Sequence, residues 1–209
     1  MVKGDSYIAR SGYVLIINNL YADWWSEREG TKKNIFAKYF GFTTREDINL
    51  TTRDMLKALR DTARRDFSNN DCFCCIIQST EETAGGICGT DGEPIDKNTI
   101  LSIFSSDKCP SLDGKPKIFV LEVSNTSAPF VTQKFDLPLT GRKGDAEFLV
   151  WSRFHDPYDI RGSEWWRFLS HGSSLREAID LTRFTISLVS TLTKDVRFER
   201  KESPSQTSY

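Results

Sequence analysis

Tyr13-Val14-Leu15-Ile16-Ile17 is a continuous apolar run, partly β-branched, closed by the polar pair Asn18-Asn19. A strand buried on both faces of a parallel sheet has this pattern. Cys72-Phe73-Cys74-Cys75-Ile76-Ile77 and Ile118-Phe119-Val120-Leu121 repeat it. Between these runs the period changes. Ile35, Phe36, Tyr39 and Phe40 fall at helical spacing within a segment from Lys33 to Phe42. Met55, Leu59, Ala63 and Phe67 then recur every four residues behind Thr51 or Thr52, either of which can cap the helix. The later pattern predicts helices from Asn98 to Phe104, Glu164 to Leu169 and Ser174 to Thr182, with strands from Glu147 to Phe154 and Phe184 to Leu192. Asp91-Gly92, following Gly85-Gly86, carries hairpin-turn chemistry.

Strands alternating with helices predict an α/β fold with a mostly parallel sheet covered on both faces. Sites in such sheets lie beyond the carboxyl ends of the strands. That rule singles out Asn18 onward, Ser79-Thr80-Glu81, and Ser124-Asn125.

At 209 residues the chain is the size of one domain with a substantial core. Lys and Arg number 28 against 29 Asp and Glu, a net charge of -1, which excludes the basic surplus of a protein that grips nucleic-acid backbone. No apolar run approaches a membrane span, and the first residues lack a cleavable signal pattern, so no membrane role is expected. Five cysteines is an odd number, with Cys72, Cys74 and Cys75 crowded into one strand. This is not a disulfide framework, and it predicts a reducing, cytoplasmic setting.

The same three thiols read as core residues and not metal ligands, since strand neighbours point to opposite faces. His155 and His171 are the only histidines, and His155 reads as a loop residue rather than a base beside Ser124. Trp165-Trp166 reads as core, and Arg60, Arg64 and Arg65 as a solvated helix face. No glycine pattern cradles a nucleotide, so no cofactor and no metal is expected.

The strand ends together resemble those of a caspase. Gly12 to Asn19 resembles the family's first strand, Arg28-Glu29-Gly30-Thr31 its Arg-x-Gly-Thr loop, and Asp71 to Ser79 the strand leading to its Ser-His-Gly site. Gly114-Lys115-Pro116-Lys117-Ile118-Phe119 matches the approach to Gln-Ala-Cys-Arg-Gly, and Ser187 to Lys194 resembles the last strand of the small subunit. The resemblance implies a three-layer sandwich: a mostly parallel central sheet, helices on both faces, and an antiparallel edge strand for dimerisation. It implies a short extension at 1–11, a caspase-like domain at 12–198 and a polar tail at 199–209. Within the domain, 12–124 corresponds to the large subunit, 125–145 to the linker and 146–198 to the small subunit.

Aligned in this way, Thr80 stands where the catalytic His belongs, Glu81 where the Gly belongs, and Ser124 where the nucleophilic Cys belongs. A thiol titrates near pH 8.5 and yields a thiolate beside an imidazole, whereas a serine hydroxyl needs a positioned base. The chain is therefore expected to be no enzyme. Glu122 replaces the family's Gln in the pocket for the substrate aspartate, where Arg28 and Arg161 match the two Arg; its carboxylate repels an acidic side chain, or pairs with Arg28 and fills the pocket. The linker holds only Asp136 and Asp145 and suits processing poorly. Thr185, Ile186, Ser187, Leu188, Val189, Ser190, Thr191 and Leu192 form the strand that the family pairs across a two-fold. The resemblance thus implies a regulator that pairs with an active caspase paralogue in apoptosis, most simply as its activator and alternatively as a decoy, with homodimerisation open. A hydrolase using Ser124 is the remaining alternative.

Overall fold

The computed structural model describes residues 6–20, 32–80, 85–124, 147–154, 165–181 and 185–201. Its centre is a six-stranded sheet in the order β3-β2-β4-β7-β8-β9. The strands are β2 (Gly12–Asn18), β3 (Thr43–Ile48), β4 (Cys72–Thr80), β7 (Lys117–Ser124), β8 (Phe148–Phe154) and β9 (Thr185–Ser190). All neighbours are parallel except β8 and β9, which are antiparallel. A two-stranded parallel ribbon pairs β1 (Tyr7–Ala9) with β10 (Val196–Phe198), and a small hairpin pairs β5 (Ile87–Cys88) with β6 (Pro94–Ile95). The expected α/β sandwich with an antiparallel edge strand is thus the observed fold.

The three apolar runs became the three central strands because each has both faces covered. β2 is buried throughout, β4 as far as Ser79 and β7 as far as Val123. Alternate residues feed two cores. Leu15, Ile17, Phe73, Cys75, Phe119 and Leu121 face α2 (Thr52–Ala63) and α3 (Lys97–Ser102). Val14, Ile16, Cys74, Ile76, Ile118 and Val120 face α1 (Lys32–Phe40), α4 (Trp165–Ser170) and α5 (Leu175–Asp180).

Helix ends follow from local chemistry. The Thr51 hydroxyl accepts from the Asp54 N–H at the start of α2, and Ser174 and Glu177 form a reciprocal capping box on α5. α1 stops at Phe40, two residues before the predicted end, because Gly41 takes a left-handed φ of 65°. Phe42 then folds back to stack on Phe36 at 6.1 Å. α2, α3 and α5 also run shorter than predicted, whereas α4 keeps its predicted length, shifted by one residue. β3, whose sequence Thr-Thr-Arg-Glu-Asp-Ile has no apolar run, is a strand the pattern did not announce. β9 ends at Ser190; Thr191 still donates its N–H to the Phe148 carbonyl at 2.8 Å, and Leu192 packs beside the α1–α4 core.

Candidate functional site

β4 and β7 lie side by side in parallel register, and the register pairs Thr80 with Ser124 at their carboxyl ends. Adjacent strands are spaced about 4.8 Å apart, so two in-register residues present their side chains to the same space. Thr80 is exposed and Ser124 half-buried. Ser124 offers a hydroxyl nucleophile, while the Thr80 hydroxyl donates and accepts hydrogen bonds without taking up a proton at neutral pH.

Two residues before Ser124, on the same face of β7, the Glu122 carboxylate is fully buried. Its Oε2 lies 2.8 Å from the Lys32 ammonium. Its Oε1 accepts from an Arg153 guanidinium nitrogen at 3.1 Å and from the Trp165 indole Nε1–H at 2.8 Å. Each partner arrives from a different element: Lys32 begins α1, Trp165 begins α4, and Arg153 is the register partner of Glu122 on β8. The Lys32 ammonium also lies 4.1 Å from the centre of the Trp166 ring. Burial pushes the Lys32 pKa down, opposed by the charge of Glu122 and its hydrogen bond. Removing either cation leaves a buried carboxylate with one fewer partner, an arrangement costly in a dry interior.

The thiols sit away from this chemistry. All five cysteines are free and buried, and burial pushes the Cys72, Cys74 and Cys75 thiols well above their ordinary range. They pack in the cores, as their strand pattern predicts. His171 is exposed at the end of α4, its Nδ1 2.7 Å from the Arg167 carbonyl. Trp165 and Trp166 are core residues, but Trp165 also donates to Glu122, a role the sequence did not reveal. Lys32 and Arg153 were likewise not singled out. Arg28, Arg161, Glu81 and His155 lie outside the described residues. Among the described residues, Glu122 pairs with Lys32 and Arg153. Among the described residues no cluster of three His, Cys, Asp or Glu is placed to hold a metal ion, and no helix is long and apolar enough to cross a membrane.

Residues 11–205 match the Caspase domain. The chain is 36% identical over 121 residues to caspase-6 of Gallus gallus, covering 54% of this chain and 39% of that protein. It is 33% identical over 119 residues to caspase-3 of Mus musculus, covering 53% and 42%. Against caspase-9 of Homo sapiens it is 34% identical over 125 residues, covering 53% and 30%. The chain thus spans less than half the length of these relatives.

These matches overturn the expectation that the chain is no enzyme. They point to a family of cysteine proteases, and the hydroxyls at Thr80 and Ser124 do not by themselves show a loss of activity. With the match running over the nine described strands from β2 to β10 and the sheet order described above, the chain belongs to the caspase family.

Proposed function

We propose that this caspase-family chain acts in programmed cell death by pairing with an active caspase along β9, and that the contact raises the partner's activity. The observation that carries the reading is the position of β9. It is the last strand of the sheet, antiparallel to β8, and among the described residues no strand pairs with its outer side. An uncovered edge strand presents a row of backbone donors and acceptors and is a template for another strand. A two-fold contact there would set each sheet end to end with its partner, through residues Thr185 to Leu192. Ordering of the partner's loops is the effect expected of a rigid neighbour at that edge.

The site supports the same reading. Glu122 already neutralises the cations beside the strand ends, so an incoming acidic side chain meets an occupied position. Arg28 and Arg161 are the proposed remnants of the substrate pocket, and residues 12–124, 125–145 and 146–198 the proposed large-subunit, linker and small-subunit portions.

Co-expression with caspase paralogues from the same organism, read by aspartyl-peptide cleavage, tests the proposal. Raised cleavage supports it, lowered cleavage identifies a decoy, and no change with any paralogue overturns regulation. A second reading, hydrolysis through Ser124, is favoured by the partial exposure of that hydroxyl beside Thr80. It requires labelling of Ser124 by an acyl-type serine probe, abolished by Ser124→Ala.

A further inference from the structure

Two residues below the Thr80–Ser124 pair, polar residues stand side by side across four strands. Asn18 on β2, Gln78 on β4, Glu122 on β7 and Arg153 on β8 are successive register partners. Each follows a core residue of the α1–α4 layer by two positions (Ile16, Ile76, Val120 and Trp151), so all four face that layer. Three of the four are engaged. Asn18 Oδ1 accepts from the Leu20 N–H at 3.2 Å, and Glu122 and Arg153 hold each other. Gln78 differs. It is 9% exposed and follows the apolar run Cys72 to Ile77, yet among the described residues no group pairs with its carboxamide. An unpaired amide at such a depth costs stability that a leucine there would not. The row ends beyond Asn18 at Ile48, the next register partner, whose side chain is 45% exposed.

The chemistry of the row narrows the ligand. A carboxamide offers an N–H donor and a carbonyl acceptor at once. An incoming carboxylate supplies no donor and meets Glu122 one strand away; an ammonium supplies no acceptor. A second carboxamide supplies both, in two complementary hydrogen bonds. Gln78 and Ile48 are two strands apart, about 10 Å. A free amino acid reaches one of these positions, whereas an extended peptide reaches both.

We propose that the strand ends bind an extended peptide through an asparagine or glutamine side chain read by Gln78, with a neighbouring apolar side chain on Ile48. The site is separate from β9 and depends neither on the pairing proposed above nor on hydrolysis by Ser124.

Fluorescence anisotropy on the full chain tests it, with fluorescein-labelled Ala-Leu-Ala-X-Ala closed by an N-methylamide, where X is Asn, Gln, Leu or Asp. The Asn or the Gln peptide is expected to bind about tenfold or more tighter than the Leu and Asp peptides. Gln78→Leu should erase that preference while leaving the urea midpoint unchanged or raised, and Ile48→Ser should weaken the preferred peptide several-fold. Four results overturn the proposal: no binding by either carboxamide peptide, equal or tighter binding of the Leu or Asp peptide, a preference that survives in folded Gln78→Leu, or displacement by free asparagine or glutamine as readily as by unlabelled peptide. A lowered urea midpoint in Gln78→Leu also overturns it, because the amide then already serves the fold.

Discussion

Glu122 and Arg153 face each other in the register of β7 and β8 and join at 3.1 Å, both with side chains only 1% exposed. The pair is buried at the strand ends, and Lys32 and Trp165 add an ion pair and a hydrogen bond to Glu122. The carboxylate thereby links β7, β8, α1 and α4.

Removing the charge of Glu122 while keeping its shape should expose the cost of that arrangement. Glu122→Gln leaves Lys32 and Arg153 facing each other, and a loss of about 3–5 kcal/mol in urea-unfolding free energy is expected. Adding Lys32→Met removes one of the two cations and should recover part of the loss. A double variant no more stable than Glu122→Gln would mean the cluster is not coupled in this way.

Phe36 anchors the aromatic side of the same helix layer. Its ring lies 5.9 Å from Phe40 and Phe198 and 6.4 Å from Trp165, and it is fully buried. Phe36→Ala should destabilise the fold by about 3–5 kcal/mol. It should also loosen β10 against α1, seen as faster amide exchange at Val196 to Phe198.

Tyr7 gives a dependence on pH with a definite sign. Its phenol donates to the Asp71 carbonyl at 2.7 Å, and burial, assisted by the charge of Asp71, pushes its pKa up to about 12. An unfolded tyrosine titrates near pH 10. Below pH 10 the phenol is neutral in both states and its contribution is complete. Between pH 10 and 12 the unfolded chain loses the proton first, so stability falls as pH rises. The urea midpoint of the parent chain should drop over that window, and the Tyr7→Phe variant should show a shallower drop. Identical slopes would contradict the assignment.

The register of β4 and β7 can also be tested by chemistry. Thr80→His with Ser124→Cys places an imidazole and a thiol on paired positions. Peptide cleavage should then rise about tenfold or more over the parent chain. A folded double variant with unchanged cleavage would show that the strand ends do not bring the two side chains into productive reach.

The central strands were legible because β2, β4 and β7 are buried on both faces and their sequences are apolar without interruption. β3 was not, because its Thr-Thr-Arg-Glu-Asp-Ile sequence lies at the sheet edge, where most of its residues stay half-exposed. Thr80, Ser124 and Glu122 were found from the positions of strand ends and from family resemblance. The partners of Glu122 were not, because Lys32, Arg153 and Trp165 converge only through helix placement and the β7–β8 register. Sequence spacing does not encode that convergence: Glu122 and Trp165 are 43 residues apart.

The most direct test of the pairing account is a titration of a purified active caspase from the same organism with this chain, reading aspartyl-peptide cleavage. Ser187→Lys with Ser190→Lys serves as the blocked-edge control, because added charge on an edge strand opposes further pairing. The account predicts a saturable rise in cleavage with the parent chain and little or none with the folded control. Cleavage that stays flat with the parent chain, for every paralogue tried, would contradict it.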